Sequence, residues 1–209
     1  GSGPAPNRRV CRRARARNAS ARFLADFFPQ LLGAVWLDGR PVGHADLPGP
    51  GHPHSPGRDR VLHLGSAYLA TKDWDAAITT FKEISNNMLY ATPHYPLANL
   101  GLAYYHKGAY EQAEKAYLKA LDLQPDFHLA QRGLGRTYLS EGRVDLAIET
   151  LEKAVAGSPQ TAAYWMDLGN AYRAGNWVRK ARRAFEKVIA LDPEGPLAGA
   201  AEVALTQLP

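Results

Sequence analysis

Cysteine is almost missing: Cys11 is the only one in 209 residues. No internal disulfide can form, and no zinc site built on several cysteines. Long apolar runs are missing as well. The best candidate, residues 31–37, falls far short of the roughly 18 to 20 residues that cross a bilayer. There is no G-x-S-x-G, no phosphate-cradling glycine loop and no H-E-x-x-H, so the familiar signatures of hydrolases, nucleotide binders and zinc proteases are absent. Histidines are few and scattered. His52 and His54 stand in a Pro/Gly stretch with only His44 and Asp46 nearby, while His94 and His106 flank one helix with no cysteine or carboxylate at ligand spacing. No catalytic activity, cofactor or metal is expected.

Residues 1–58 lack lysine, glutamate and isoleucine altogether. They hold eight of the fifteen prolines and eight of the nineteen glycines, with Arg8, Arg9, Arg12, Arg13, Arg15 and Arg17 in one run. No sustained periodicity appears, and the one apolar patch, Phe23, Leu24, Phe27, Phe28, Leu31 and Leu32, is interrupted by Pro29. A disordered or loosely docked extension is expected, with a helix covering the first repeat as the alternative. An Arg-rich, acid-poor start also suits a targeting signal, and this composition is equally what a GC-rich message yields out of frame, which would make the segment non-native.

The net charge of +5 invites a nucleic-acid reading until it is divided by position. Residues 1–60 carry ten arginines against four aspartates, whereas residues 61–209 carry fifteen cations against sixteen acids. The larger part is near neutral, so a nucleic-acid partner is not expected.

What the chain does have is a pentapeptide that occurs four times: Leu64-Gly65-Ser66-Ala67-Tyr68, Leu100-Gly101-Leu102-Ala103-Tyr104, Leu134-Gly135-Arg136-Thr137-Tyr138 and Leu168-Gly169-Asn170-Ala171-Tyr172. Its glycines stand 36, 34 and 34 residues apart. Twelve residues after each comes Ala77, Ala113, Ala147 or Ala181, and four further on Phe81, Tyr117, Leu151 or Phe185. Pro125, Pro159 and Pro193 close the last three periods, and Trp165 completes the opening motif of the fourth. A fixed period of this length marks stacked helical pairs, each too small to bury both its faces alone. Glycine and alanine allow the two helices of a pair to approach, and Leu, Tyr and Phe fill the remaining space.

In these motifs the chain resembles the tetratricopeptide repeat family over roughly residues 59–193. The resemblance implies an all-α, right-handed solenoid of four helix-turn-helix units, about 59–92, 93–126, 127–160 and 161–194, with residues 195–209 as a capping helix. Gly108, Gly142 and Asn176 occupy equivalent turns and suit a left-handed helix end. Asp73 is placed to cap a second helix.

The resemblance also implies a concave groove lined by the first helix of each unit, and protein or peptide segments as partners, with the repeat portion of a larger enzyme or sensor, or a generic cytosolic adaptor, as the alternatives. By register the groove residues are Leu62, Ser66 and Leu69, then Tyr95, Ala98, Asn99, Leu102, Tyr105 and His106. They continue as Leu129, Arg132, Arg136 and Leu139, and end with Met166, Asn170 and Arg173. The early part reads as apolar and aromatic, the later part as carrying three guanidinium groups for carboxylates or carbonyls. Chaperone-binding members hold a carboxylate with a basic residue and an asparagine in the first unit. Leu62 and Ser66 stand there instead, so that ligand is not implied.

Residues 89–108 (LYATPHYPLANLGLAYYHKG) and 185–193 (FEKVIALDP) are similar to the type IV pilus biogenesis and stability proteins, pilotin-type repeat lipoproteins that assist secretin assembly. That implies the periplasm or outer membrane as location, the cytoplasm being the alternative. Arg9 and Val10 before Cys11 do not form a lipidation signal.

Overall fold

The computed structural model describes residues 36–37, 40–41, 56–85 and 92–209. Expectations for the rest of residues 1–58 lie outside the described residues, as does the 86–91 part of the longer, looser turn that Pro93 and Pro96 predict over residues 86–96. Trp36–Leu37 (β1) and Arg40–Pro41 (β2) pair antiparallel, with Trp36 opposite Pro41 and Leu37 opposite Arg40. This two-residue ladder falls in a segment expected to lack regular structure. Its sequence signal is Asp38-Gly39, a dipeptide favoured in two-residue hairpins.

All other regular structure among the described residues is helical: α1 (Pro56–Ala70), α2 (Trp74–Ser85), α3 (His94–His106), α4 (Tyr110–Leu123), α5 (His128–Ser140), α6 (Val144–Gly157), α7 (Ala162–Ala174), α8 (Val178–Leu191) and α9 (Pro196–Thr206). The result is an all-α solenoid of paired helices. The chain divides into two compact units, residues 1–103 and 104–209, with the boundary inside α3.

In the first unit α1 packs on α2. A Cβ on Gly65 would lie 2.6 Å from the ring of Phe81, so the missing side chain is what lets this ring close the pair. Ala67, Ala77 and Phe81 are fully buried there. The N–H of Ala76 donates to Asp73 Oδ1 at 3.4 Å, the expected cap. Helix α1 starts at Pro56, three residues before the expected Asp59. A proline in the first helical turn costs nothing, because its missing N–H would be unpaired anyway.

In the second unit α5 packs on α6 and α7 on α8, and the same device recurs. Cβ atoms on Gly135 and Gly169 would lie 2.5 Å from Leu151 and 2.6 Å from Phe185. Helices α5 and α7 lie side by side, as do α7 and α9, so first helices form one layer and α6 and α8 lie behind them. A further small-residue contact joins α4 to α5: Gly133 leaves room for the ring of Tyr117, which is buried. Helix α9 covers the open side of α7 and α8 with Ala198, Ala201 and Ala204, as a terminal cap should.

All four pairs turn in the same way. The N–H groups of Asp73, Ala109, Arg143 and Trp177 reach back to the carbonyls of Tyr68, Tyr104, Tyr138 and Tyr172 at 2.8 to 2.9 Å. The preceding residues, Lys72, Gly108, Gly142 and Asn176, have φ of 58°, 78°, 75° and 60° and donate to the carbonyls three residues back. This is a Schellman end, which satisfies carbonyls that a helix C-terminus otherwise leaves orphaned. Lysine at the first of these positions is the departure from glycine or asparagine.

Candidate functional site

Among groove residues of the first unit, the structure buries most of the polar ones. Ser66 is 2% exposed, and its hydroxyl donates to the Leu62 carbonyl at 3.0 Å. Asn99 is also 2% exposed, and its Oδ1 has no hydrogen-bond partner among the described residues. Leu69, Ala98 and Leu102 are buried, while Leu62 and Tyr95 are half-buried. Tyr95 stands against His94 with ring centroids 4.5 Å apart, and burial holds the His94 imidazole below its ordinary range.

In the second unit α5 and α7 set the later groove residues in two neighbouring rows. A side chain on one first helix meets the residue one repeat ahead of it. Thus Ser140, thirty-five residues past Tyr105, donates its hydroxyl to Tyr105 Oη at 3.3 Å. The Arg136 guanidinium lies 4.8 Å from the centre of the same ring. His106 stands edge-on to Tyr105 at 5.5 Å and is exposed. Tyr105 is thereby held from several sides yet remains partly exposed. At the far end Arg173 donates to Asn170 Oδ1 at 3.2 Å and to Gln207 Oε1 of the cap at 3.3 Å. Met166 and Asn170 are half-buried, Leu129 is buried, and Leu139 is half-buried.

Arg132 departs from expectation. It is 4% exposed, forms an ion pair with Asp167 on α7, itself 16% exposed, and lies 5.4 Å from the centre of the Tyr164 ring. Its charge is spent inside the protein, so two guanidinium groups, those of Arg136 and Arg173, remain on this face rather than three. Asp167, Tyr164, Ser140 and Gln207 escaped the sequence reading. Their signal was available: Asp167 and Ser140 stand one repeat and one residue beyond Arg132 and Tyr105, where a stacked neighbour must lie.

Chemically this face offers a restrained aromatic ring, two cations and amide groups. No group of three or more metal-ligating side chains exists among the described residues. No helix there is long and apolar enough to cross a membrane.

Two tetratricopeptide repeat models match the sequence, one over residues 98–162 and 132–196, the other over 61–87. Among solved structures, MamA 41-end from Desulfovibrio magneticus RS-1 is similar with a TM-score of 0.59 at 25% identity, over 72% of this chain and 86% of that one. YrrB, described as a TPR protein with an unusual peptide-binding site, gives 0.58 at 18% identity, over 70% and 74%. The first TPR of Spaghetti (RPAP3) bound to the HSP90 peptide SRMEEVD gives 0.51 at 22% identity, over 55% and 90%. The last two likenesses show the fold alone. No curated protein matches the sequence.

Proposed function

The chain belongs to the tetratricopeptide repeat family, and we propose that it is a scaffold without chemistry of its own, which binds a segment of a partner protein along the first-helix layer of residues 104–209. The observation that carries this reading is Tyr105: an aromatic ring fixed by Ser140 and Arg136 but partly open to solvent. A ring already ordered loses little entropy on binding, and aromatic and arginine side chains dominate binding energy in interfaces. Arg136, Asn170 and Arg173 add donors for carboxylates or backbone carbonyls of the segment. YrrB and the RPAP3 domain, both similar in fold, are described with a peptide-binding site or a bound peptide, which supports a peptide ligand here as well.

A narrower reading places the scaffold in type IV pilus or secretin assembly. It is supported by the likeness of residues 89–108 and 185–193 to the pilotin-type proteins. The test begins with a pull-down from the source organism and titration of the captured partner. Tyr105→Ala and Arg173→Glu should each weaken binding at least about tenfold, and Glu149→Ala, on the outer helix α6, should not. Binding lost through Glu149 and kept through Tyr105 overturns the groove. A secretin subunit among the captured partners supports the pilus role, and its failure to bind the purified chain removes that role while leaving the groove intact.

A further inference from the structure

The outer helices of residues 104–209 are unlike one another in charge. On α4 and α6, acids and bases are mixed and pair locally: Lys115 with Glu111 at 2.5 Å, Lys153 with Glu149 at 2.7 Å, and Arg143, just before α6, with Glu114 of α4 at 2.8 Å. Helix α8 carries Arg179, Lys180, Arg182, Arg183 and Lys187 against a single acid, Glu186. Its buried side is Ala181, Ala184, Phe185 and Val188, a spacing that turns the cations outward, and all but Lys187 are exposed. Only Lys180 has a carboxylate within ion-pair reach among the described residues, Glu152 at 3.5 Å.

Apart from Lys180, this arrangement brings the fold little. Like charges at i, i+4, as in Arg179, Arg183 and Lys187, destabilise a helix. The first turn of α8 has no acid and holds Arg179 and Lys180, which oppose the positive end of the helix dipole. Lys180 is engaged inside the chain by Glu152 and by the Tyr172 and Trp177 rings, and Glu186 lies within one turn of Arg182 and Arg183, yet Arg179, Arg182 and Arg183 remain exposed on one helix. Beside them Trp177 is 44% exposed, stacked on Tyr172 at 5.8 Å with Lys180 Nζ 4.3 Å from its centre. Tryptophan and arginine together are the side chains that most often anchor a protein partner.

We propose that the outward face of α8 is a second docking surface, separate from the first-helix layer, for an acidic segment of a partner protein with several carboxylates within about two helical turns. The length follows from the stripe Arg179, Arg183, Lys187, which spans about 12 Å at 1.5 Å per residue. A continuous phosphate lattice fits less well. Glu186 stands among the cations, and Glu152 of α6 lies 3.5 Å from Lys180, so carboxylates interrupt the strip that a polyanion would follow. A second copy of this chain is disfavoured because its outer acids Glu111, Glu114, Glu149 and Glu152 already have cation partners.

The test uses the full chain and a helical peptide of about twenty residues with glutamate at every fourth position. The peptide should bind at low salt, weaken steeply as salt rises, and lose affinity at least about tenfold when Arg179, Arg183 and Lys187 are all changed to glutamate. Lys115→Glu with Lys119→Glu should leave binding unchanged, as should Tyr105→Ala, which separates this surface from the groove. A triple change of the three α8 cations to glutamine should keep or raise Tm, since repulsion is removed; a fall in Tm assigns them an internal structural role and overturns the proposal. It is equally overturned if the peptide fails to bind, if the glutamate variant binds as well as the parent, or if an oligonucleotide of equal charge or anionic lipid vesicles bind more tightly than the peptide.

Discussion

Arg132 of α5 and Asp167 of α7 form an ion pair across two neighbouring repeats, with the guanidinium 4% exposed and the carboxylate 16%. Register alone aimed Arg132 into the groove, and register was insufficient, because the side chain one repeat ahead decides whether a charge is presented or consumed. Desolvation makes such a pair a poor source of net stability, yet breaking it strands a charge. Arg132→Ala should therefore cost about 3 to 5 kcal/mol, whereas Arg132→Met with Asp167→Leu should cost much less than either single change. Denaturant titration of the four proteins measures the coupling. Additive losses would show that the two side chains do not depend on one another.

Helix spacing in each pair is set by a glycine facing a large side chain. Gly135→Leu drives a side chain into Leu151, already 2.5 Å from an added Cβ, and should destabilise by about 1 to 3 kcal/mol or more. Gly199 in α9 has nothing within 4 Å of an added Cβ, so Gly199→Ala should stabilise by about 0.5 to 1 kcal/mol through helix propensity. Melting curves that respond alike to both changes would contradict this account.

The pairing of Gly65 with Phe81, of Gly135 with Leu151 and of Gly169 with Phe185 was legible in the sequence, because residues at fixed offsets from a repeated motif inherit one geometry. So were the left-handed turns at Gly108, Gly142 and Asn176. Lys72 was not, since its side chain carries no preference for that conformation. The basic face of α8 was hidden for a different reason. Dividing charge between residues 1–60 and 61–209 averaged five cations on one helix against acids on others. The hairpin at Trp36–Leu37 and Arg40–Pro41 was missed because proline and glycine density was read as absence of structure, although Asp38-Gly39 carries a turn signal.

Lys72 offers a sign test of the turns. Gly142→Ala places a Cβ at φ 75° and should cost about 1 kcal/mol. Lys72→Gly relieves the same strain at φ 58° and should leave stability unchanged or raise it, despite the greater freedom glycine gives the unfolded chain. Thermal melts should show Gly142→Ala falling and Lys72→Gly not falling.

Tyr172 and Tyr138 should make the fold sensitive to alkali. Burial pushes both phenols above their ordinary value of 10.0; Tyr172 is raised further by donating to Glu152 at 2.6 Å, and Tyr138 by the charge of Glu114. The unfolded chain thus releases these protons at lower pH than the folded one. Their contribution is fully present below pH 10 and is lost as pH rises from there toward the folded values. Tm should fall between about pH 9 and about pH 11, and Tyr172→Phe should show a smaller fall over that range. An equal fall in the variant would mean that other groups control the alkaline limb.

Anchor and charge in the groove should fail in kinetically different ways. Tyr105 is held by Ser140 and Arg136 before any partner arrives, so its ring contributes contact without further ordering. Tyr105→Ala should cost about 2 kcal/mol, seen mainly as faster dissociation. Ser140→Ala leaves the ring in place but frees its hydroxyl, so it should cost less and at any salt concentration. Arg173 is exposed and, among the described residues, donates to the neutral amides of Asn170 and Gln207 rather than to a carboxylate. Arg173→Gln should slow association, with the largest effect at low salt, because exposed charges are screened within roughly 8 to 10 Å at physiological ionic strength. Arg132→Ala should reduce stability without this salt signature, since its charge is already neutralised by Asp167. Surface plasmon resonance of the captured partner at two salt concentrations separates these outcomes. If Arg132→Ala showed the salt-dependent loss and Arg173→Gln did not, the buried pair would have to open on binding, and the division of the face into spent and presented charges would be wrong.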